Sequence, residues 1–144
     1  MNAIGQKQKN IVEEFSKFPQ WEDRYKYIIE LGKNLPAFPE EHRLEKNKVK
    51  GCQSQVWLHA WMENGKVYYH ADSDALIVKG LASLLVQVFS GHDPKEIMAA
   101  GTDFLADIGL TSHLSQSRSN GLAAMVRQFK NYAVAFSLLP GLGA

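Results

Sequence analysis

The dipeptide Asn64-Gly65 constrains the fold of this chain more than any other feature, because it lies between two runs of alternating apolar and polar residues. A two-residue type I′ turn requires positive φ at both central positions, and Asn-Gly is the pair that most readily adopts it. Such a turn fixes the register of a β-hairpin and places His59 opposite His70. One face of the predicted hairpin is apolar and is expected to face the core; it carries Val56, Leu58, Ala60, Met62, Val67, Tyr69 and Ala71.

Apolar residues at helical spacing predict two helices before the hairpin. The first covers residues 4–18 and is broken by Pro19, and the second covers residues 21–35. Two helices joined this closely are expected to form a helical hairpin. The polar stretch that follows is predicted to be irregular, except that residues 47–50 can add a third strand to the sheet.

Helices are also predicted after the hairpin. Residues 72–74 (Asp-Ser-Asp) offer N-caps for a strongly apolar helix, and Asp93-Pro94 begins the next one. Residues 101–112 are predicted to form short turns, and either Ser117 or Ser119 is expected to cap a last amphipathic helix. This order predicts an α+β fold, with a small antiparallel sheet of about three strands and helices packed on one side.

Length and charge limit the class of protein. At 144 residues, one domain covering residues 1–144 is expected. The 16 Lys and Arg residues nearly balance 15 Asp and Glu residues, which argues against a nucleic-acid-binding protein. Residues 1–10 lack the apolar core of a signal peptide, and the apolar stretch 75–89 is too short to span a bilayer. We therefore expect a cytoplasmic protein without a membrane segment.

Cys52 is the only cysteine of the chain, which excludes an intramolecular disulfide and a cysteine-rich metal site. It follows Gly51 and precedes the polar pair Gln53-Ser54, in a loop at the start of the hairpin where a reactive side chain can be presented. Residues 43–50 carry a local charge of about +3, and nearby cations favour the nucleophilic thiolate. A buried cysteine that packs as a small apolar side chain is the alternative, and the residues alone leave both interpretations open.

Three other groups of residues are candidates for chemistry. Arg118, at the start of the last helix, can form an anion site with the backbone amides there, or it can be a solvated arginine after an N-cap. His113 lies close in sequence and can act as a base, although a lone loop histidine is usually a surface residue. The His59–His70 pair lacks a third ligand and is interpreted as structural. The outer face of the hairpin is expected to be an aromatic patch beneath a helix; it carries Trp57, Trp61 and Tyr68.

Several of these segments, in the same order, resemble the SufE-like sulfur acceptors, which include the CsdE branch. The matching segments are residues 21–25 and 27–32, residues 50–57 around Cys52, residues 72–75 with 77–81, and Leu114 with residues 117–122. The resemblance runs from about residue 8 to residue 136 and leaves residues 137–144 as a C-terminal tail.

The resemblance implies a fold shared with cluster-assembly scaffolds of the IscU kind. It also implies that Cys52 accepts sulfane sulfur from the persulfide of a pyridoxal-phosphate-dependent cysteine desulfurase (SufS-like or CsdA-like) and relays it to a SufB-like scaffold. The pyridoxal phosphate belongs to the desulfurase, so no cofactor is expected in this chain. The supporting residues implied are Gly51, Gln53, Ser54, Asp74, His113 and Arg118, with Asp74 matching an acidic residue near the active loop and Arg118 matching the arginine of the last helix.

Three alternatives remain at this stage. A scaffold that assembles the cluster itself is disfavoured, because one cysteine supplies too few ligands. A hydrolase or acyltransferase would use Cys52 with His113, although no nucleophile–base spacing supports it. A binding module would carry Cys52 as a non-reactive side chain. The sequence does not distinguish the SufE branch from the CsdE branch, nor does it give the oligomeric state.

Overall fold

The computed structural model describes residues 2–139, so residues 140–144 of the expected tail lie outside the described residues. The predicted α+β fold is confirmed, with helices before and after a single β-hairpin. The elements are α1 (Ala3–Phe15), α2 (Trp21–Lys33), β1 (Val56–Glu63), β2 (Lys66–Ser73), α3 (Leu76–Phe89), α4 (Pro94–Ala99), α5 (Asp103–Asp107), α6 (Leu110–His113) and α7 (Gln116–Ser137), with short 3-10 turns at Glu40–His42 and Glu45–Asn47.

The hairpin has the register that its turn predicts. His59 lies opposite His70, and both turn residues have positive φ, 52° at Asn64 and 78° at Gly65. The third strand expected at residues 47–50 is reduced to one bridge between Lys48 and Trp57. The sheet therefore has two strands within residues 2–139, because the chain turns away from the hairpin directly after that bridge.

The apolar face of the hairpin packs against α3 and α7. Its side chains are buried as predicted, except Met62, which is only partly covered. Two tyrosine hydroxyls join the sheet to α7: Tyr69 donates to the Phe129 carbonyl at 2.7 Å, and Tyr132 donates to the Leu58 carbonyl at 3.1 Å. These contacts hold the long last helix across the sheet, where its first turns reach the cysteine loop.

Helices α2 and α3 approach so closely that only glycine fits at their crossing. A Cβ added to Gly32 would lie 2.7 Å from the backbone nitrogen of Gly80, a distance that real Cβ atoms do not show. A Cβ added to Gly80 would overlap the backbone of Ile28. The pair of glycines therefore lets α3 sit between α2 and the sheet.

The outer face of the hairpin is covered by a 3-10 segment and not by the helix expected over its aromatic residues. The Arg43 guanidinium lies 4.7 Å from the centre of the Trp57 ring and pairs with the Asp72 carboxylate at 3.0 Å. The His42 ring stacks on His59 with ring centres 3.6 Å apart. This segment is polar and too short for a helix, but its side chains are long enough to cover the face.

Histidines gather on that outer face without forming a metal site. Burial lowers the pKa of His59 and of His70, which favours neutral rings in this partly covered environment. Among residues 2–139, no group of three or more His, Cys, Asp or Glu side chains is placed to hold a metal ion. The interpretation of the His59–His70 pair as structural stays a prediction.

The helix that follows the hairpin begins without a capping side chain. β2 continues to Ser73, so the N-cap position of α3 falls on Ala75, and the expected cap by residues 72–74 is wrong. The next cap is confirmed, since the Asp93 carboxylate accepts a hydrogen bond from the Lys95 amide at 2.8 Å. The Asp74 carboxylate contacts Gln55 instead.

The last helix begins earlier than expected. Its cap is Ser115, whose hydroxyl accepts a hydrogen bond from the Arg118 amide at 3.3 Å, and not Ser117 or Ser119. The expected turns at residues 101–112 contain α5 and α6. Within the part of the chain that the structure describes, no helix has the length and apolar character that would cross a membrane.

Candidate functional site

Cys52 lies in a turn whose preceding residue, Gly51, has a backbone conformation that favours glycine. Gly51 has φ of 92°, a left-handed value that L side chains rarely adopt, and a Cβ added there would lie 3.3 Å from Ala124 on α7. The backbone therefore approaches α7 closely and carries Cys52 against it. The Cys52 thiol is half-buried and donates a hydrogen bond to the Gly121 carbonyl, with sulfur and oxygen 3.4 Å apart.

A cavity of about 470 Å³ opens beside the thiol. One side is formed by the cysteine loop, the second by apolar residues of α3, and the third by the start of α7. It is lined by Cys52, Gln53, Ser54, Val78, Leu81, Ser115, Ser117, Arg118, Gly121, Leu122 and Met125. The structure thus brings together four of the predicted site residues (Cys52, Gln53, Ser54 and Arg118), while the apolar side chains that complete the lining were not identified from the sequence.

Asp74 holds the far end of the loop. Its carboxylate accepts a hydrogen bond from the Gln55 amide at 3.0 Å, and its own amide donates to the Gln55 carbonyl at 3.2 Å. The Ser73 hydroxyl donates to the same carbonyl at 2.8 Å. The junction between β2 and α3 therefore clamps the chain three residues after Cys52, which leaves the cysteine between a glycine turn and a fixed anchor.

The resting position disfavours the thiolate. Burial raises the pKa of the Cys52 thiol above its ordinary value, and the positive charge of Arg127 lowers it only in part. The expectation that residues 43–50 stabilise the thiolate is wrong for this position, since the cation that lowers the pKa of Cys52 is Arg127. Two cations of that stretch are paired elsewhere, Arg43 with Asp72 and Lys48 with Glu45, each at 3.0 Å. Those cations are occupied by neighbouring carboxylates.

Arg127 was missed in the sequence, because its spacing from Ala124 is informative only once the structure shows which face of α7 meets the loop. It lies three residues after Ala124, which contacts the cysteine loop, and residues three apart share one face of a helix. Because Ala124 faces the cysteine loop, Arg127 on the same face of α7 lies near that loop as well. The sequence alone gives no reason to align that face with the loop.

Arg118 lies in the first turn of α7, where it is exposed and lines the cavity. Its guanidinium carbon is 5.8 Å from the centre of the Tyr25 ring, a cation–π contact that orients it. The guanidinium and the amides at the helix start can together bind an anion that enters the cavity. Its predicted role in receiving sulfur remains a prediction, which this geometry favours.

His113 is not part of the cavity lining. Its ring stacks on Trp21 with centres 4.5 Å apart, and its Nδ1 lies 2.9 Å from the Gly109 carbonyl oxygen. The pairing of Cys52 with His113 that a hydrolase would require is therefore not formed in this structure. The ring instead joins the end of α6 to the start of α2.

Three comparisons with known proteins, by family model, by sequence and by structure, each find relatives over most of this chain. A family model described as SufE, Fe-S metabolism associated domain, matches residues 9–133. An uncharacterised SufE-like protein of Rhizobium meliloti is 46% identical over 128 residues, which cover 85% of this chain and 91% of that relative. A second one, of Synechocystis, is 41% identical over 128 residues, which cover 89% of this chain and 80% of that relative. The solution structure of a hypothetical protein from Thermus thermophilus superposes with a TM-score of 0.75 at 27% sequence identity and covers 90% of this chain and 94% of that one.

Proposed function

The chain belongs to the SufE family, whose domain is associated with Fe-S metabolism, and from that premise we propose that it is a sulfur acceptor. Cys52 takes sulfane sulfur from the persulfide of a pyridoxal-phosphate-dependent cysteine desulfurase and relays it to an Fe-S cluster assembly scaffold. The observation that carries the proposal is the placement of the only cysteine, on a glycine turn, at a cavity that Arg118 also lines.

The transfer is a thiol–persulfide exchange with no net oxidation. The Cys52 thiolate attacks the outer sulfur of the donor persulfide, and a new S–S bond forms as the donor's own S–S bond breaks. The bonding electron pair leaves with the donor's inner sulfur, which becomes a thiolate. Cys52 ends as a persulfide, and a second exchange of the same kind passes the outer sulfur to the scaffold.

The environment of Cys52 suits a carrier that is inactive until it meets its donor. In the resting position, burial keeps the thiol protonated and shields it from stray oxidants and reductants. Attack on the donor requires the thiolate, so the loop must move outward before transfer. We propose that Asp74 holds the loop in the resting position and that Arg118 stabilises the negative charge on the sulfur during transfer.

The proposed partners follow from the chemistry. A desulfurase of the SufS or CsdA kind supplies the pyridoxal phosphate and the persulfide, and a SufB-like scaffold receives the sulfur. We also propose a cytoplasmic location, because an isolated reactive thiol persists best where the environment is reducing. The protein is then an accessory in sulfur transfer and not a stand-alone enzyme.

The test is replacement of Cys52 by serine, which retains the shape of the side chain but cannot form a persulfide. We expect Cys52→Ser to abolish sulfur acceptance, measured by intact mass after incubation with a cognate desulfurase and free cysteine without reductant. The wild-type chain should gain one sulfur, and a thiol reductant should remove it. Thermal unfolding should be nearly unchanged in the variant, which controls for folding. If the serine variant still stimulates the desulfurase under these conditions, the proposal is wrong.

A further inference from the structure

The only hydrogen bond of the resting Cys52 side chain within the described residues is made through its proton. The S–H group donates to the Gly121 carbonyl oxygen, and a peptide carbonyl can only accept. The sulfur also packs directly on the glycine, since a Cβ added to Gly121 would lie 3.5 Å from Sγ and 3.9 Å from the Cβ of Cys52. Glycine in a helix costs stability relative to alanine, and this one lies in the second turn of α7.

We propose that Gly121 is a positioning residue for Cys52: its carbonyl holds the cysteine loop inward only while the sulfur carries a proton, and loading with sulfane sulfur releases the loop. This inference rests on the proposed function, and it adds a reason for the loop to leave its resting place after transfer. The hydrogen bond that keeps the loop inward therefore depends on the chemical state of the sulfur itself.

The reason lies in what replaces the proton. In the persulfide, Sγ is bonded to Cβ and to the outer sulfur, and therefore has no hydrogen to donate. The outer sulfur adds a further atom about 2 Å away, and its ionised form carries a negative charge. Both the lost donor and the added charge are unfavourable beside a carbonyl oxygen in a half-buried site.

Within residues 2–139, no other group forms a hydrogen bond with the Cys52 thiol. On the α3 side the thiol faces Val78 and Leu81, which are apolar and buried. The polar residues of the cavity lie in the cysteine loop (Gln53 and Ser54) and at the start of α7 (Ser115, Ser117 and Arg118). Arg118 and the amides of the first turn of α7, which border the same cavity, are the groups that can stabilise the anion of a loaded cysteine once it leaves the Gly121 carbonyl.

Three changes at Cys52 separate loss of the donor from change of size. Cys52→Ser keeps a donor and is smaller, Cys52→Ala has no donor and is smaller, and methylthiolation of the wild-type thiol removes the donor while adding bulk. Methyl methanethiosulfonate performs the last change, since the thiol gains an S–CH₃ group in a disulfide and methanesulfinic acid leaves. The probe is the NMR order parameter of the backbone amides of residues 51–54.

We expect the wild type and the serine variant to show order parameters near 0.85, and the alanine variant and the methylthiolated protein to fall toward about 0.6 or below. Amides of α3 serve as internal controls and should not change in any sample. Equal order in the alanine variant and the wild type would overturn the proposal, as would equal mobility in the serine and alanine variants.

The readout uses no desulfurase, so it is independent of the sulfur-acceptance assay. If the order parameters differ between the serine and alanine variants but Cys52 gains no sulfur from a desulfurase, the proposed function is wrong and the positioning role of Gly121 is supported. If sulfur is accepted but the order parameters of the two variants are equal, the proposed function is supported and the positioning role of Gly121 is wrong.

Discussion

At the scale of single residues, the charge acting on Cys52 comes from α7 and not from the basic stretch before the cysteine. Burial raises the pKa of the thiol and Arg127 opposes that shift. We expect Arg127→Gln to raise the pKa further, because the burial remains and the compensating charge is removed. Less thiolate is then present at any pH below the pKa, so alkylation by iodoacetamide should be roughly two-fold slower near pH 7.5. The rate–pH profile should move to higher pH.

Lys95→Gln is the matched control for that experiment, since it removes an exposed cation from α4 without touching the cavity. Its alkylation profile should coincide with that of the wild type. A profile unchanged in Arg127→Gln as well would mean that the charge of Arg127 is screened by solvent before it reaches the thiol. In that case burial alone determines the pKa of Cys52.

At the scale of elements, the crossing of α2 and α3 determines where the second wall of the cavity lies. A Cβ at Gly80 would meet the backbone of Ile28, which cannot move aside as a flexible side chain can. We expect Gly80→Ala to lower the free energy of unfolding by about 1–3 kcal/mol or more, the usual cost of overpacking. Chemical denaturation measures this change. Gly101→Ala is the control, since nothing lies within 4 Å of a Cβ there, and it should be close to neutral.

The hairpin, the helix caps and the cysteine loop differ in how far the sequence could predict them. The hairpin register was predictable because the Asn64-Gly65 turn is a local device that leaves one pairing. The absence of a cap on α3 was not, because residues 72–74 all offer oxygen acceptors, and only a distant contact to Gln55 takes the Asp74 carboxylate away from the helix. The cysteine loop was predictable as a loop, but its contact with Gly121 depends on how α7 crosses the sheet, which no local pattern gives.

At the scale of the whole molecule, the cysteine loop and the tip of the hairpin lie at opposite ends. β1 begins at Val56, next to the loop, and an eight-residue strand places its other end about 25 Å away. The amide of Val67, near the tip, donates to the His92 carbonyl at 2.9 Å, so α4 also begins at that distant end. A protein that docks over Cys52 therefore contacts one end of the molecule and leaves the other exposed.

This separation gives a test of where the desulfurase binds. Lys46 and Lys50 are exposed near the cysteine loop, whereas Lys95 is exposed at the distant end. If the desulfurase presents an acidic surface to the loop, Lys46→Glu with Lys50→Glu should weaken binding by roughly ten-fold at low ionic strength, mostly through a slower association rate. Added salt should reduce both the wild-type affinity and the difference, because exposed charges are screened beyond about 10 Å at 0.1 M. Lys66→Glu with Lys95→Glu makes the same change of net charge at the distant end, where both lysines are exposed, and should bind like the wild type. An equal loss in that variant would mean that net charge, and not this surface, controls docking.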